Sequence, residues 1–312
     1  MEPFLTEFLQ ALGSQKGYSE NTIVAYKNDL TQFGQYIHTQ QGGGFDPASI
    51  TAALVSGYPD FPLVSGYPDF LQGHNGGYAP STVARKIAAV KSFFHYLADR
   101  QLVVSDPSSK LNSPRIKKSV PRTLTQPEME LLLAAPRRGN GSKALRDAAL
   151  LEILAATGLR VTEVVNLRQD DIDWERGELL CRGKADRQRQ VPIGTARQAL
   201  ETYVRQGRPA MAGEGSGDAL FLNHRGKKLT RQGVWLIIKE AADAAGISAE
   251  VTPHTLRHSF ARYLVGSGAD LRRVQELLGH ANLSTTQVYR QPTTQVYRQP
   301  STQLNGGEPT AA

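Results

Sequence analysis

Apolar positions recur at helical spacing through the first hundred residues, in FLTEFLQAL from Phe4 and again in TIVAYKNDLTQFGQYI from Thr22. That spacing is the mark of amphipathic helices that each bury one stripe. Ser19 or Asn21 is placed to cap the second of them. A further helix is predicted from Ser81 to Leu97, where Val83, Ile87, Val90, Phe94 and Leu97 fall at i, i+4, i+7, i+11 and i+14 and form a core face. The stretch SDPSSKLNSPRIKKSVPR then carries three prolines and few apolar residues, which reads as an interdomain linker.

The periodicity resumes in LTQPEMELLLAA, with Thr125 as a cap and Pro127 in the first turn. ALRDAALLEILAAT predicts a long apolar helix that Gly158 ends, and VTEVVNL a short helix after it. Residues 178–193, ELLCRGKADRQRQVPI, read as two strands around a polar turn holding Gly183 and Asp186. The remainder is mostly helical up to about Val288. The pattern therefore predicts a mainly α chain of two domains, the second with a small antiparallel sheet. The domains are placed at 1–105 and 123–292, with the linker at 106–122 and an irregular tail at 293–312.

Two tandem duplications break the pattern. LVSGYPDFP at 54–62 recurs as LVSGYPDFL at 63–71, and TTQVYRQP at 285–292 recurs at 293–300. Two copies of so short a period do not make a repeat architecture, and slippage of the coding sequence is the simpler reading. The second duplication also duplicates a tyrosine, giving Tyr289 and Tyr297.

Charge narrows the class of partner. Thirty-six Lys and Arg against 29 Asp and Glu give a net charge of +7 and a pI of about 9.5, which favours a polyanion. Between Thr82 and Arg122 there are nine basic residues and two acids, so Arg85, Lys86, Lys91, Arg115, Lys117 and Lys118 are candidate phosphate contacts. There is no apolar run of about 18 residues, and MEPFLTEFLQ lacks the cationic and apolar regions of a signal peptide. The expectation is a cytoplasmic protein without membrane association. The single cysteine, Cys181, cannot form an internal disulfide and reads as a core strand residue.

The candidate chemistry is concentrated near the C-terminus. TPHTLRHSF and LLGHANLSTTQVY bring His254, Arg257, His280 and Tyr289 into one short stretch, and TGLRVTEVVNL adds Arg160 upstream. Phosphodiester transfer needs an in-line nucleophile, positive charge on the non-bridging oxygens and a proton for the leaving alkoxide. Arginine suits the second task, since its planar fork donates paired hydrogen bonds and stays charged. Thr252 and Pro253 look like the cap and first residue of a helix, which puts His254 in the first turn and Arg257 on the same face. Lys184 lies in the hairpin turn among Arg182, Arg187 and Arg189, where neighbouring cations would lower its pKa toward that of a usable acid. A tyrosine nucleophile would store the broken bond's energy in a phosphotyrosine, with no need for ATP. The chain has no GK[ST] phosphate loop, no zinc spacing and no isolated carboxylate cluster; Asp170, Asp171 and Asp173 read as a turn. No metal or other cofactor is expected.

On these motifs the chain resembles the phage-integrase family of tyrosine recombinases over nearly its whole length, and in size and layout it is most similar to the Xer recombinases. The resemblance implies an N-terminal helical, SAM-like core-binding domain and an α-rich catalytic domain. It makes Arg160, Lys184, His254, Arg257, His280 and the nucleophile Tyr289, nine residues after His280, the catalytic set, with Glu163 and His258 in support. The arginines and histidines would hold the scissile phosphate, His254 would also assist proton transfer, Lys184 would act as general acid, and Tyr289 would leave a 3′-phosphotyrosine and a free 5′-hydroxyl. The implied partner is a duplex DNA recombination site clamped by four protomers. These form a homotetramer, or a heterotetramer with a second recombinase, that works through a Holliday junction in the nucleoid. The role implied is Xer-type resolution of chromosome or plasmid dimers.

Two departures stand against the family pattern. Relatives follow the tyrosine with a helix that docks into a neighbour, whereas RQPTTQVYRQPSTQLNGGEPTAA carries three prolines and a Gly pair; Tyr297 lies seventeen residues after His280, out of register. The duplication at 54–71 inserts prolines where relatives have a helix, and local distortion is expected there. The alternatives are an integrase or excisionase of a mobile element, a type IB topoisomerase, and a catalytically silent architectural DNA-binding protein.

Overall fold

The computed structural model describes residues 2–14, 17–41, 64, 66–73, 77–103, 106–115, 122–183, 188–279 and 289. The chain divides into two units, residues 1–119 and 120–312.

The first unit is helical: α1 (Glu2–Ser14), α2 (Glu20–Gln41), α3 (Tyr67–Gly73) and α4 (Pro80–Asp99). Ser19, not Asn21, caps α2; its hydroxyl accepts the Thr22 N–H at 3.3 Å. The α4 stripe is buried as its spacing requires, with Val83 2% exposed and Ile87, Val90, Phe94 and Leu97 fully covered. Each such side chain contributes about 1.5–3 kcal/mol. Phe93 meets Phe8 of α1 edge-on at 5.4 Å between ring centroids.

The duplicated segment behaves differently from the expected distortion where it is described. In its second copy Val64, Tyr67 and Leu71 are fully buried, at i, i+3 and i+7, and Tyr67 packs edge-on against Phe33 at 4.9 Å. Pro68 sits in the first turn of α3, where the missing N–H leaves no bond unmade. The first copy lies outside the described residues.

The expected linker also begins later than its composition indicates. Asp106 accepts the Ser108 N–H and O–H at 2.8 and 2.6 Å, closing a turn that delivers Leu111, 4% exposed, into the first unit's core. Residues 116–121 lie outside the described residues.

The second unit opens with α5 (Gln126–Ala134), capped reciprocally by Thr125 and Glu128, and is built around α6 (Gly141–Thr157), whose last turns are buried on every face. Gly158 ends α6 in the left-handed conformation at φ +59°, and a Cβ there would lie 2.3 Å from Phe260 Cδ1, so only glycine fits. Then come α7 (Val161–Asn166) and an antiparallel sheet of β1 (Ile172–Asp173), β2 (Glu178–Arg182) and β3 (Gln188–Pro192) in that order.

The two-residue β1, which pairs Ile172 with Leu179, is too short to leave a pattern in the sequence. Cys181 on β2 is fully buried, and burial pushes its thiol up to about 12, as befits an unreactive core residue. Beyond β3 the chain forms α8 (Arg197–Thr202), a π turn at Tyr203–Gly207, α9 (Arg208–Met211), α10 (Arg231–Ala244), α11 (Pro253–Gly266) and α12 (Leu271–Leu278). No helix among the described residues is long and apolar enough to cross a membrane.

Candidate active site

Thr252 starts α11 as its sequence implies. Its hydroxyl accepts the Thr255 N–H at 3.2 Å and the Thr255 hydroxyl accepts the Thr252 N–H at 3.1 Å, with Pro253 in the first position. The helix then exposes His254, half-buries His258 and buries Arg257 to 5% exposure.

Arg257 is held from both sides. One terminal nitrogen donates to the Gly158 carbonyl and the other to the Leu278 carbonyl, each at 2.6 Å. Gly158 thus does two jobs, stopping α6 and presenting its carbonyl to the guanidinium.

The end of α12 gathers the cations. The last carbonyls of a helix have no partner within it and carry the negative end of its dipole. Here three successive carbonyls each receive an arginine: Leu277 from Arg189 Nε at 2.8 Å, Leu278 from Arg257 at 2.6 Å, and Gly279 from Arg160 at 2.7 Å. Gly279 has φ +62°, and a Cβ on it would lie 3.0 Å from a terminal nitrogen of Arg189.

Glu163, 6% exposed, ties two of these arginines together. It accepts the Arg160 backbone N–H at 2.7 Å and the Arg160 side chain at 3.2 Å, and two Arg189 nitrogens at 2.7 and 3.0 Å. Burial alone would raise its carboxyl, but the hydrogen bonds and charge of Arg189, followed by those of Arg160, bring it below the usual carboxylate range. Its ionised form therefore stabilises the fold above the unfolded pKa of about 4.3, and that contribution is lost as pH falls through the lower folded value.

Glu163→Gln is expected to loosen Arg160 and Arg189 and to lower the thermal midpoint at pH 7. In thermal melts the gap between wild type and variant should narrow from pH 7 to pH 3.5. An equal gap at both pH values would show that the Glu163 charge does not matter.

Tyr289 reaches the same place, 5% exposed and packed in a cluster with Phe260, Leu264, Val274 and Leu278. Its hydroxyl lies 2.5 Å from His258 Nδ1. Burial raises the phenol pKa while the Arg257 charge lowers it, the first effect being the larger. The structure thus brings together Arg160, Glu163, Arg257, His258 and Tyr289, with His254 one turn before His258 at 6.4 Å between ring centroids. Lys184 and His280 lie outside the described residues.

The expected DNA contacts divide. Arg85 and Arg115 are exposed and Lys91 is half-buried. Lys86, expected on the basic face, is instead 7% exposed, with its ammonium 3.0 Å from the buried Asp29 carboxylate and 5.0 Å from the Tyr78 ring centroid. Arg85 also pairs with Asp29. Arg189, expected as a contact in the basic hairpin, is instead consumed by Glu163 and Leu277. One signal in the sequence pointed inward: Arg189 is two residues before the apolar Val191, on the same face of β3, and pairs with Cys181 across the sheet. Arg182 is partly exposed and pairs with Asp171 at 2.6 Å. Lys117, Lys118 and Arg187 lie outside the described residues.

The model of the phage integrase family matches residues 122–295, and that of the phage integrase N-terminal SAM-like domain matches residues 5–58. A tyrosine recombinase XerC of Roseiflexus castenholzii is 45% identical over 90% of this chain and 86% of its own length. A tyrosine recombinase XerD of Listeria innocua is 42% identical over 93% of this chain and 94% of its own. The fold is shared with a lambda integrase tetramer crystallised on a Holliday junction, at TM-score 0.66 and 17% identity, covering 93% of this chain and 77% of that one. With its arginines, glutamate and tyrosine drawn together around the end of α12, and both of its units matched, the chain belongs to the phage integrase family of tyrosine recombinases.

Proposed function

We propose that this chain is a site-specific recombinase of the Xer type that resolves chromosome or plasmid dimers in the nucleoid, with Tyr289 as its nucleophile. The observation that carries the reading is the meeting of Tyr289 with Arg257 and Arg160, from three separate sequence segments, at the C-terminal end of one short helix. Arg160 and Arg257 neutralise the non-bridging oxygens of the scissile phosphate, helped by His254 and His280. The Tyr289 oxygen attacks phosphorus, the bond to the 5′ oxygen breaks, and Lys184 supplies the proton that makes the 5′-hydroxyl. Reversal by a 5′-hydroxyl from another duplex completes strand exchange. Arg85, Lys91, Arg115 and Arg182, with Lys117, Lys118 and Arg187, supply phosphate contacts that position the duplex without reading its sequence.

By analogy with the lambda integrase tetramer, four protomers, identical or shared with a second recombinase, act on one Holliday junction. The test is a duplex carrying a candidate Xer-type site, nicked just 3′ of the cleavage position so that the short fragment bearing the new 5′-hydroxyl diffuses away. A denaturation-resistant adduct whose modified peptide contains Tyr289 is the expected result. Tight binding without an adduct would favour an architectural DNA-binding protein, and relaxation of plasmids lacking any site would favour a topoisomerase.

A further inference from the structure

We infer that His258 is a catalytic residue: it receives the phenolic proton of Tyr289 as that oxygen attacks the scissile phosphate, and returns it when the strand is rejoined. The inference rests on the recombinase reading above and adds a base to it. Its geometric ground is the 2.5 Å separation between Tyr289 Oη and His258 Nδ1, within reach for direct transfer in a half-buried position.

Among the described residues, the other groups nearby are unsuited to the task. Arg257 has no lone pair to offer. Glu163 already accepts from Arg160 and Arg189 through both of its oxygens. His254 is exposed at the first turn of α11 and stands 6.4 Å from the His258 ring.

The surroundings also keep His258 in the form that can accept. A protonated imidazole donates from both nitrogens, and only the neutral ring presents a lone pair at Nδ1, with its hydrogen on Nε2. The titratable and charged groups facing the pair among the described residues are His254 and Arg257, with Arg160 beyond Arg257. Burial, then His254 and Arg257, holds His258 down to about 4. It is neutral throughout the neutral range and becomes charged only as the phenol gives up its proton.

The step balances. The O–H bond of Tyr289 breaks and an N–H bond forms on His258 Nδ1; the Tyr289 O–P bond forms and the bond from phosphorus to the 5′ oxygen breaks. The 5′ oxygen takes its proton from the general acid, proposed as Lys184. On rejoining, each proton retraces its path.

His258→Asn separates placement from basicity, since the Asn side-chain oxygen can still accept from the phenol but cannot hold its proton. Single-turnover cleavage of the nicked duplex is expected to fall about 100-fold at pH 7, within the range for loss of a general base. Its pH profile should change from nearly level between pH 6 and 9 in wild type to a tenfold rise per pH unit, the signature of a phenol that must ionise unaided. A duplex with a 5′-bridging sulfur, whose thiolate leaves without a proton, should not restore the variant, although it would restore loss of the general acid.

DNA retention in a gel shift and the thermal midpoint accompany each rate, and His258→Gln carries the comparison if the Asn variant does not fold. Wild-type protein that forms an adduct, beside a variant cleaving within twofold of it with an unchanged pH profile, would overturn the role of His258 alone. Absence of the wild-type adduct would overturn the recombinase reading, and this inference with it.

Discussion

Tyr289→Phe is expected to abolish the covalent adduct, lowering cleavage by about 10⁵-fold or more, the scale seen when a nucleophile is removed. The fold should tolerate the change. Tyr289 packs its ring among Phe260, Leu264, Val274 and Leu278, and phenylalanine keeps all of that apolar contact. Among the described residues, the hydroxyl's hydrogen-bond partner is the half-buried His258, and loss of that bond costs about 1 kcal/mol or less. DNA affinity should stay within twofold, because no phosphate-binding cation is touched.

Tyr297→Phe is expected to leave adduct formation at the wild-type level. The duplication places Tyr297 eight residues beyond the tyrosine that packs beside Arg257, so nothing in the spacing from His280 brings it to the phosphate. Gel analysis of the trapped adduct, followed by peptide mapping, separates the two. An adduct mapped to Tyr297 in the Tyr289→Phe protein would show that the second copy can replace the first.

How much of this was visible in the sequence depends on how far apart the interacting residues lie. The α4 stripe, the caps at Thr125 and Thr252, the stop at Gly158 and the burial of Cys181 follow from neighbours within a few positions, and each was legible. Lys86 was not. Its local setting is a run of basic residues, and the carboxylate that buries it, Asp29, lies 57 positions earlier on α2. Leu111 hides in a Pro- and Ser-rich stretch whose composition reads as linker, although a single leucine anchored by the Asp106 turn suffices to dock it.

In the site, Arg160, Arg257 and Tyr289, which meet around the end of α12, were legible from motif and spacing. The carbonyls that hold the arginines were not, since every residue has one, and only the fold shows that three at the end of α12, from Leu277 to Gly279, are matched to three arginines.

The carbonyls of Gly158 and Leu278 make Arg257 the position where stability and chemistry are expected to fail together. Burial pushes its guanidinium down to about 10, with the Arg160 charge adding to the effect, which leaves it charged at neutral pH. Arg257→Ala removes that buried charge and strands the Gly158 and Leu278 carbonyls without their donor. At about 1–3 kcal/mol for each unsatisfied group, partly offset by relief of the buried charge, the net loss is expected to be about 2–4 kcal/mol. For a unit of this size that lowers the thermal midpoint by roughly 5–15 °C.

Arg257→Lys isolates the chemical part. An ammonium on a single stem keeps the charge but cannot span two carbonyls 120 residues apart in the chain and still present a fork to phosphate. Cleavage is expected to fall about 10²- to 10³-fold, the usual cost of losing an oriented donor at a developing anion, with a smaller drop in midpoint than for alanine. Thermal melts beside single-turnover cleavage would measure both. A lysine variant that cleaves at the wild-type rate would mean that charge alone, without the fork geometry set by Gly158 and Leu278, is enough to stabilise the transition state.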